Sequence, residues 1–293
     1  MAMDFDIWLP TANPFATAEY LAAVAREAEA RAVHGIWVGE HVVTFEHYAS
    51  KYPYAENGQA PIPPGSGLLE PFTTLAFLAA VTTSVRLGTA MCLLPQRNPV
   101  YTAKEVATVD WLSGGRVDLG VGVGWLREEF EAVEVPWERR GDRTDEYLQV
   151  LHALWCDDPS SFSGKYYTLP ECNLHPKPVQ DPHPPIHIGG ESEAALRRTA
   201  RAGQGWHTFN RAPADLPDAV AHLETLLADQ GRARADVTVT VCPYFKPLDA
   251  SITEQYAEAG ADAVSALFFA MSAQDVPAAF EALDPCIERA RAC

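Results

Sequence analysis

The stretch from residue 86 to 130, RLGTAMCLLPQRNPVYTAKEVATVDWLSGGRVDLGVGVGWLREEF, constrains the fold of this chain more than any other. Residues 86–92 are a short apolar run of strand formers. Asn98-Pro99 closes a loop and opens a helix. Residues 100–112 carry apolar side chains at helical spacing and stop at Ser113-Gly114-Gly115. Residues 116–121 form a second apolar run, followed at once by Gly122-Val123-Gly124. Two apolar strands joined by a helix make a βαβ unit, whose strands are parallel and buried on both faces. In such folds chemistry gathers at the carboxyl ends of the strands. Here those ends are Ala90-Met91-Cys92 and Gly122-Val123-Gly124.

The same alternation runs along the chain. Strands are expected at 5–9, 35–39, 86–92, 116–121, 185–188, 205–208, 236–242 and 263–269. Helices are expected at 17–32, 71–82, 100–112, 139–155, 192–202, 216–230, 251–259 and 275–290. Eight strand–helix pairs without a linker point to a single (β/α)8 barrel over residues 1–293. A doubly wound open sheet is the alternative. Two insertions exceed ordinary loop length, 40–69 after the second strand and 156–184 after the fourth, and long loops in a compact domain are usually functional lids or disordered. In the second, Lys165-Tyr166-Tyr167-Thr168-Leu169 fits one strand of a small hairpin. Its seven prolines from Pro159 to Pro185 indicate a stiff excursion rather than a second domain.

Composition narrows the function. Hydrophobic residues make up 47% of the 293, enough for a large core. With 22 Lys plus Arg against 39 Asp plus Glu, the formal charge is −17, which argues against nucleic acid and anionic membranes as main partners. An anionic ligand is still compatible, because backbone N–H groups can hold one. No apolar run approaches the ~20 residues that span a bilayer, and the first residues lack a signal-peptide pattern, so a cytoplasmic location is expected. Six scattered cysteines without a CxxC pair read as reduced thiols, with a Cys286–Cys293 bridge as the alternative. There is no GxSxG, Walker, HExxH or CxxC motif.

Candidate chemistry sits at strand ends. Gly39-Glu40-His41 follows the second strand, and a histidine there can exchange a proton near neutral pH or serve only as a satisfied loop residue. Glu40, His41 and His47 lack a recognised metal-ligand spacing. Gly122-Val123-Gly124 allows close backbone approach to a ligand, or simply a tight turn. Trp125 either shields a planar ring or caps the core, Arg127 meets an anion or solvent, and Arg139 and Arg140 read as surface ion-pair residues. Gly189-Gly190-Glu191-Ser192 runs from a strand into a helix, where free N–H groups and the helix dipole favour phosphate. Ser192 caps the helix, donates to the phosphate, or both, and Glu191 is expected to turn its side chain away. Trp206, in Gly205-Trp206-His207, either flanks the same site or packs in the core.

Three blocks carry a resemblance: GIWVGEHV (35–42), the long segment 86–155, and PPIHIGGESEAALRRTARAGQGWH (184–207). Together the chain resembles the bacterial luciferase-like monooxygenase superfamily, and more narrowly its deazaflavin-dependent oxidoreductases, which use coenzyme F420. The resemblance implies a (β/α)8 barrel, usually a homodimer, with the ring of the cofactor in the barrel mouth. It implies that Glu40 and His41 stand near that ring and that Ala90-Met91 forms a bulge, commonly a non-proline cis peptide, behind it. It further implies that Gly122, Val123 and Gly124 line the ring and tail. Main-chain donors at Gly189, Gly190, Glu191 and Ser192 would then meet the phosphate, with Trp206 beside the site. Sugar-phosphate dehydrogenases of that group carry a glutamate directly after the second glycine of the 122–124 loop. This chain has Trp125 there, which argues against glucose 6-phosphate.

The expected activity is hydride transfer between coenzyme F420 and a small organic substrate, with His41 as acid/base or as the group polarising a carbonyl. Aromatic residues Phe45, Tyr48, Tyr52, Trp125 and Trp206 are expected to cover the substrate. One alternative is an FMN-dependent monooxygenase supplied with reduced flavin by a partner reductase. Another is a non-catalytic protein that binds flavin or deazaflavin.

Overall fold

A computed structural model describes residues 2–293. Eight parallel strands close a barrel, ordered β1 (Asp4–Leu9), β2 (Gly35–Val38), β3 (Arg86–Thr89), β4 (Val117–Val121), β7 (Ile186–Gly189), β8 (Gly205–Phe209), β9 (Thr238–Cys242) and β10 (Ala263–Leu267). The remaining two strands, β5 (Ser160–Ser163) and β6 (Thr168–Cys172), form an antiparallel hairpin outside it. The architecture is a (β/α)8 TIM barrel, and closure removes the open-sheet alternative because β1 pairs with both β2 and β10. Helices α1 (Ala18–Ala30), α2 (Pro71–Val81) and α3 (Pro99–Ser113) follow the first three strands. Then come α4 (Arg127–Ala132), α5 (Arg140–Cys156), α6 (Glu193–Ala202), α7 (Leu216–Ala228) and α8 (Ala250–Glu258), and finally α9 (Val276–Glu281) and α10 (Asp284–Ala292).

The starts of these helices follow from local chemistry. Thr17, Asn98, Ser192 and Asp249 each cap a helix by accepting a backbone N–H, and Pro71 and Pro99 sit in first turns where no N–H is needed. Among the described residues no helix is long and apolar enough to cross a membrane.

Three expectations need correction. The third strand stops at Thr89; the chain turns through a cis peptide between Ala90 and Met91, and Cys92 rejoins the sheet only by a bridge to Val121. The C-terminal helix is two, because Pro285 lacks the N–H that a continuous helix requires and instead occupies the first turn of α10. In the hairpin, Lys165, Tyr166 and Tyr167 form the turn rather than strand, their N–H groups all donating to Glu146 on α5. Cys286 is a free buried thiol, in line with the reading of the cysteines as reduced.

Side chains alternate across each strand. On β8, Trp206 joins the apolar layer between barrel and helices, whereas His207 points into the lumen, its ring 4.9 Å from that of Trp37 on non-adjacent β2. The lower lumen is ionic. Asp6 accepts from Trp37 Nε1 at 2.9 Å and lies 2.9 Å from His34 Nδ1. Arg86 grips Asp118 through two bonds of 2.6 and 2.7 Å, and His187 Nε2 lies 3.5 Å from the same carboxylate.

Candidate active site

The upper lumen opens into a cavity of about 630 Å3 at the carboxyl ends of the strands. Its floor is Ala90, Met91, Gly122, Val123, Gly124, Gly189 and Gly190. Met91 explains two of the glycines. A Cβ on Gly122 would sit 2.9 Å from Met91 Cβ, and one on Gly189 would sit 2.6 Å from Met91 Cγ. The two strand ends therefore make room for the Met91 side chain, which fills the slot between them. The result is a smooth, apolar floor. Gly190 has φ of 117°, a conformation that disfavours any side chain.

His41 stands on the wall, and the group that orients it was not apparent in the sequence. His41 Nδ1 lies 3.1 Å from Glu129 Oε2 on α4, and Glu129 is fully buried. The other oxygen of Glu129 accepts the Val42 N–H at 2.7 Å, and Gln96 Nε2 reaches Glu129 Oε2 at 3.3 Å. The adjacent Glu128 accepts the Ala49 and Ser50 N–H groups and the Ser50 hydroxyl at 2.6, 3.2 and 2.7 Å. Desolvation raises the Glu128 pKa, but these hydrogen bonds outweigh it and hold the carboxyl down at about 2. Two successive glutamates of one short helix thus clamp both ends of segment 41–50. A six-residue helix has no apolar period to betray it, so α4 and its glutamates left no signal beyond a charge run.

Glu40 also lines the cavity, but its carboxylate is committed. It accepts from Leu93 N at 2.6 Å and from Arg97 Nε at 2.7 Å, and Arg97 further pairs with Glu70 and Glu105. Trp8 Nε1 donates to Ala90 O at 2.9 Å, tying the bulge to β1. Around the wall Trp125 meets His41, Tyr48 and Tyr52 edge-on with centroids 5.1 to 5.6 Å apart. Tyr52 hydroxyl donates to Tyr244 hydroxyl at 3.0 Å, and burial pushes the Tyr244 phenol up to about 12. Tyr244, Trp8 and Phe269 on this wall carried no motif in the sequence.

The predicted residues divide in three. Glu40, His41, Ala90, Met91, Gly122, Val123, Gly124, Gly189 and Gly190 line the cavity together. Glu191 and Ser192 line an adjoining groove with Tyr54, Glu56 and Asn210. There the Glu191 carboxylate turns onto the β8 end, accepting from Thr208 Oγ1, Phe209 N and Arg211 at 2.7 to 2.8 Å. Ser192 Oγ accepts the Ala195 N–H at 3.2 Å, and the first N–H groups of α6 have no acceptor within the helix. Trp206 is brought to neither. It is fully buried in the barrel–helix layer, and its Nε1 donates to Gly190 O at 2.9 Å, so it braces the loop from behind.

Arg140 is not an ion-pair residue. It donates to Gly124 O at 3.2 Å and lies 3.6 Å over the Trp137 ring, while Arg139 does pair with Asp142. His47 is exposed and outside the cavity lining, and among the described residues no cluster of His, Cys, Asp or Glu is arranged to hold a metal. Insertion 40–69 supplies Tyr52, Pro53, Tyr54, Ala60, Pro61, Ile62, Pro63, Ser66 and Leu68 to the cavity, and insertion 156–184 supplies none.

A parallel barrel with a ligand-sized apolar cavity at its carboxyl end defines the class of molecule. The chain belongs to the luciferase-like monooxygenase family, whose model matches residues 3–283. Members of that family are oxidoreductases or monooxygenases. An uncharacterized protein of Mycobacterium tuberculosis is 34% identical over 209 residues, 71% of this chain and 72% of that one. The FMNH(2)-dependent dimethylsulfone monooxygenase of Pseudomonas putida is 32% identical over 159 residues, 53% of this chain and 44% of that protein. Among solved structures, an F420-dependent secondary alcohol dehydrogenase superposes with a TM-score of 0.78 at 18% identity, over 99% of this chain and 100% of that one. Long-chain alkane monooxygenase (LadA) superposes with a TM-score of 0.79 at 15% identity, over 99% of this chain and 92% of that one. These two likenesses are of fold.

Proposed function

We propose that this protein is a coenzyme F420-dependent oxidoreductase acting on a small organic substrate. The observation that carries the reading is His41, anchored to buried Glu129 and set in a largely apolar cavity above a floor of glycines and Met91. A planar ring fits that floor because Gly122, Gly124, Gly189 and Gly190 present no side chains. Ala90, Met91 and residues 122–124 would underlie the ring, and Gly190, Glu191 and Ser192 at the start of α6 would meet the phosphate through main-chain N–H groups. The bound deazaflavin supplies two-electron hydride chemistry. With its Nδ1 proton held by Glu129, His41 keeps Nε2 as the atom that gives or takes a proton.

A second reading, an FMN-dependent monooxygenase served by a separate reductase, draws on the reduced-flavin relative of Pseudomonas putida. Titrating the purified protein in parallel with oxidised deazaflavin and with FMN, by tryptophan quenching, separates the two. Micromolar binding of the deazaflavin alone supports the first reading. A preference for FMN replaces it with the second. A homodimer is proposed as well, because Tyr101, Trp111 and Leu112 are all exposed on α3. Light scattering that returns a monomer for the wild type overturns it.

A further inference from the structure

The cavity wall is rich in side chains that can hydrogen-bond, and most are already used. Trp8 donates to Ala90 O, Ser66 Oγ donates to Asn13 O at 2.7 Å, Glu40 is held by Arg97 and Leu93 N, and Tyr52 donates to Tyr244. Among the described residues no lysine or arginine lines the cavity. Cations around it are engaged elsewhere: Arg97 with three carboxylates, Arg211 with Glu191, Lys246 with the Asn210 carbonyl, and Arg140 with the Gly124 carbonyl and the Trp137 ring. The mouth is apolar too. Phe245 and Phe269 line the cavity yet are 63% and 57% exposed, and Met271 beside them is 56% exposed. An anion entering this space would lose its hydration without gaining a cation, which costs several kcal/mol.

We infer that the substrate is a neutral, largely hydrocarbon molecule carrying one oxygen that hydrogen-bonds to His41, and that Phe15, Ile62, Leu68, Phe245 and Phe269 form its binding surface. The inference rests on the oxidoreductase reading, because it takes the floor to be occupied by the cofactor ring and leaves the aromatic wall to the substrate. Charge is the discriminating variable. A carboxylate or phosphate group on the same carbon skeleton abolishes recognition, whereas added methylene groups improve it.

Calorimetric titration with a matched pair of probes tests this: 2-acetylnaphthalene, which is neutral, and 6-acetyl-2-naphthoate, its carboxylate analogue. Both are titrated into cofactor-loaded and cofactor-free protein. The neutral probe is expected to bind the loaded wild type at least about tenfold tighter. Phe269→Lys, at a position exposed enough to leave the fold intact, is expected to reverse that preference. Equal or tighter binding of the carboxylate by the wild type, or no binding of the neutral probe, overturns the inference. If the neutral preference holds while neither deazaflavin nor FMN binds, the proposed cofactor reading fails and the apolar selectivity stands.

Discussion

The two halves of the barrel lumen handle charge in opposite ways. Below, Asp6 pairs with His34 and Trp37, and Asp118 pairs with Arg86 and His187, so every charge has a partner. Above, the wall is largely aromatic; Glu40 is held by Arg97, and His41, backed by buried Glu129, faces the cavity. A cluster whose charges are all paired and packed has no room for a ligand, so it contributes specificity and stability. A histidine in a largely apolar wall is poised to act on whatever enters. Equivalent substitutions in the two halves should therefore have different readouts.

The largest effect is expected at Asp118. Desolvation alone would raise its pKa, but His187 and Arg86 overcome this and hold the carboxyl below its usual range. Asp118→Ala leaves the Arg86 guanidinium facing a buried void, and should cost about 3–5 kcal/mol in urea unfolding. Replacing both, Arg86→Met with Asp118→Leu, should recover most of that loss. A single-variant cost below about 1 kcal/mol would break the comparison, because the lower cluster would then not be structural.

At the mouth the same kind of change should alter turnover rather than stability. His41→Ala is expected to lower kcat about 10²-fold while the unfolding midpoint holds within about 1 kcal/mol. Glu129→Gln keeps the size of the side chain and removes the carboxylate that fixes Nδ1–H. It should reduce kcat about tenfold and displace the pH–rate profile. An unchanged profile with lower stability would assign Glu129 to structure alone and bring the upper half closer to the lower.

Much of the upper half was legible because it consists of strand ends. Apolar runs closed by glycines marked Ala90-Met91, Gly122-Val123-Gly124 and Gly189-Gly190, and parallel topology gathers such ends at one rim. The lower half was hidden for a physical reason. Asp118 and His187 are each the one polar side chain of an apolar strand, while Asp6 and His207 share theirs with Asp4 and Thr208, and so few polar residues do not disturb the pattern that signals a strand. Their partners lie on other strands and come into range only on closure. Glu129 escaped for a similar reason, since its role comes from a contact with a residue 88 positions away. The two insertions were equally conspicuous as proline-rich loops. One is turned over the mouth by Glu128 and Glu129, the other is pinned outside by Glu146 and by Asp110, which accepts the Val179 N–H. Which capping acid lies beneath a loop decides this, and composition does not carry it.

The smallest effect sharpens the comparison furthest, because it concerns a lower residue with both ring nitrogens unpaired. His207 is fully buried, stacks on Phe209 with centroids 5.1 Å apart, and neither ring nitrogen has a protein partner. Desolvation, with some repulsion from His187, pushes its pKa down to about 3. A depressed histidine pKa means that the folded state resists protonation. Stability should therefore fall as pH drops from about 6.5, where the unfolded residue begins to take up a proton, toward 3. His34 works in the other direction: desolvation opposes its charge, but Asp6 overrides this and raises it to about 9, so its contribution is complete below about 6.5 and is lost as pH rises through 9. His207→Phe keeps the ring and removes the titration. It should leave stability at pH 7 within about 1 kcal/mol and reduce the loss between pH 7 and pH 5 by roughly 2 kcal/mol, measured by urea unfolding at each pH. The alkaline limb governed by His34 should not move. A variant that is destabilised at pH 7, with the acid limb unchanged, would mean that His207 has a polar partner after all and belongs with the paired residues below it.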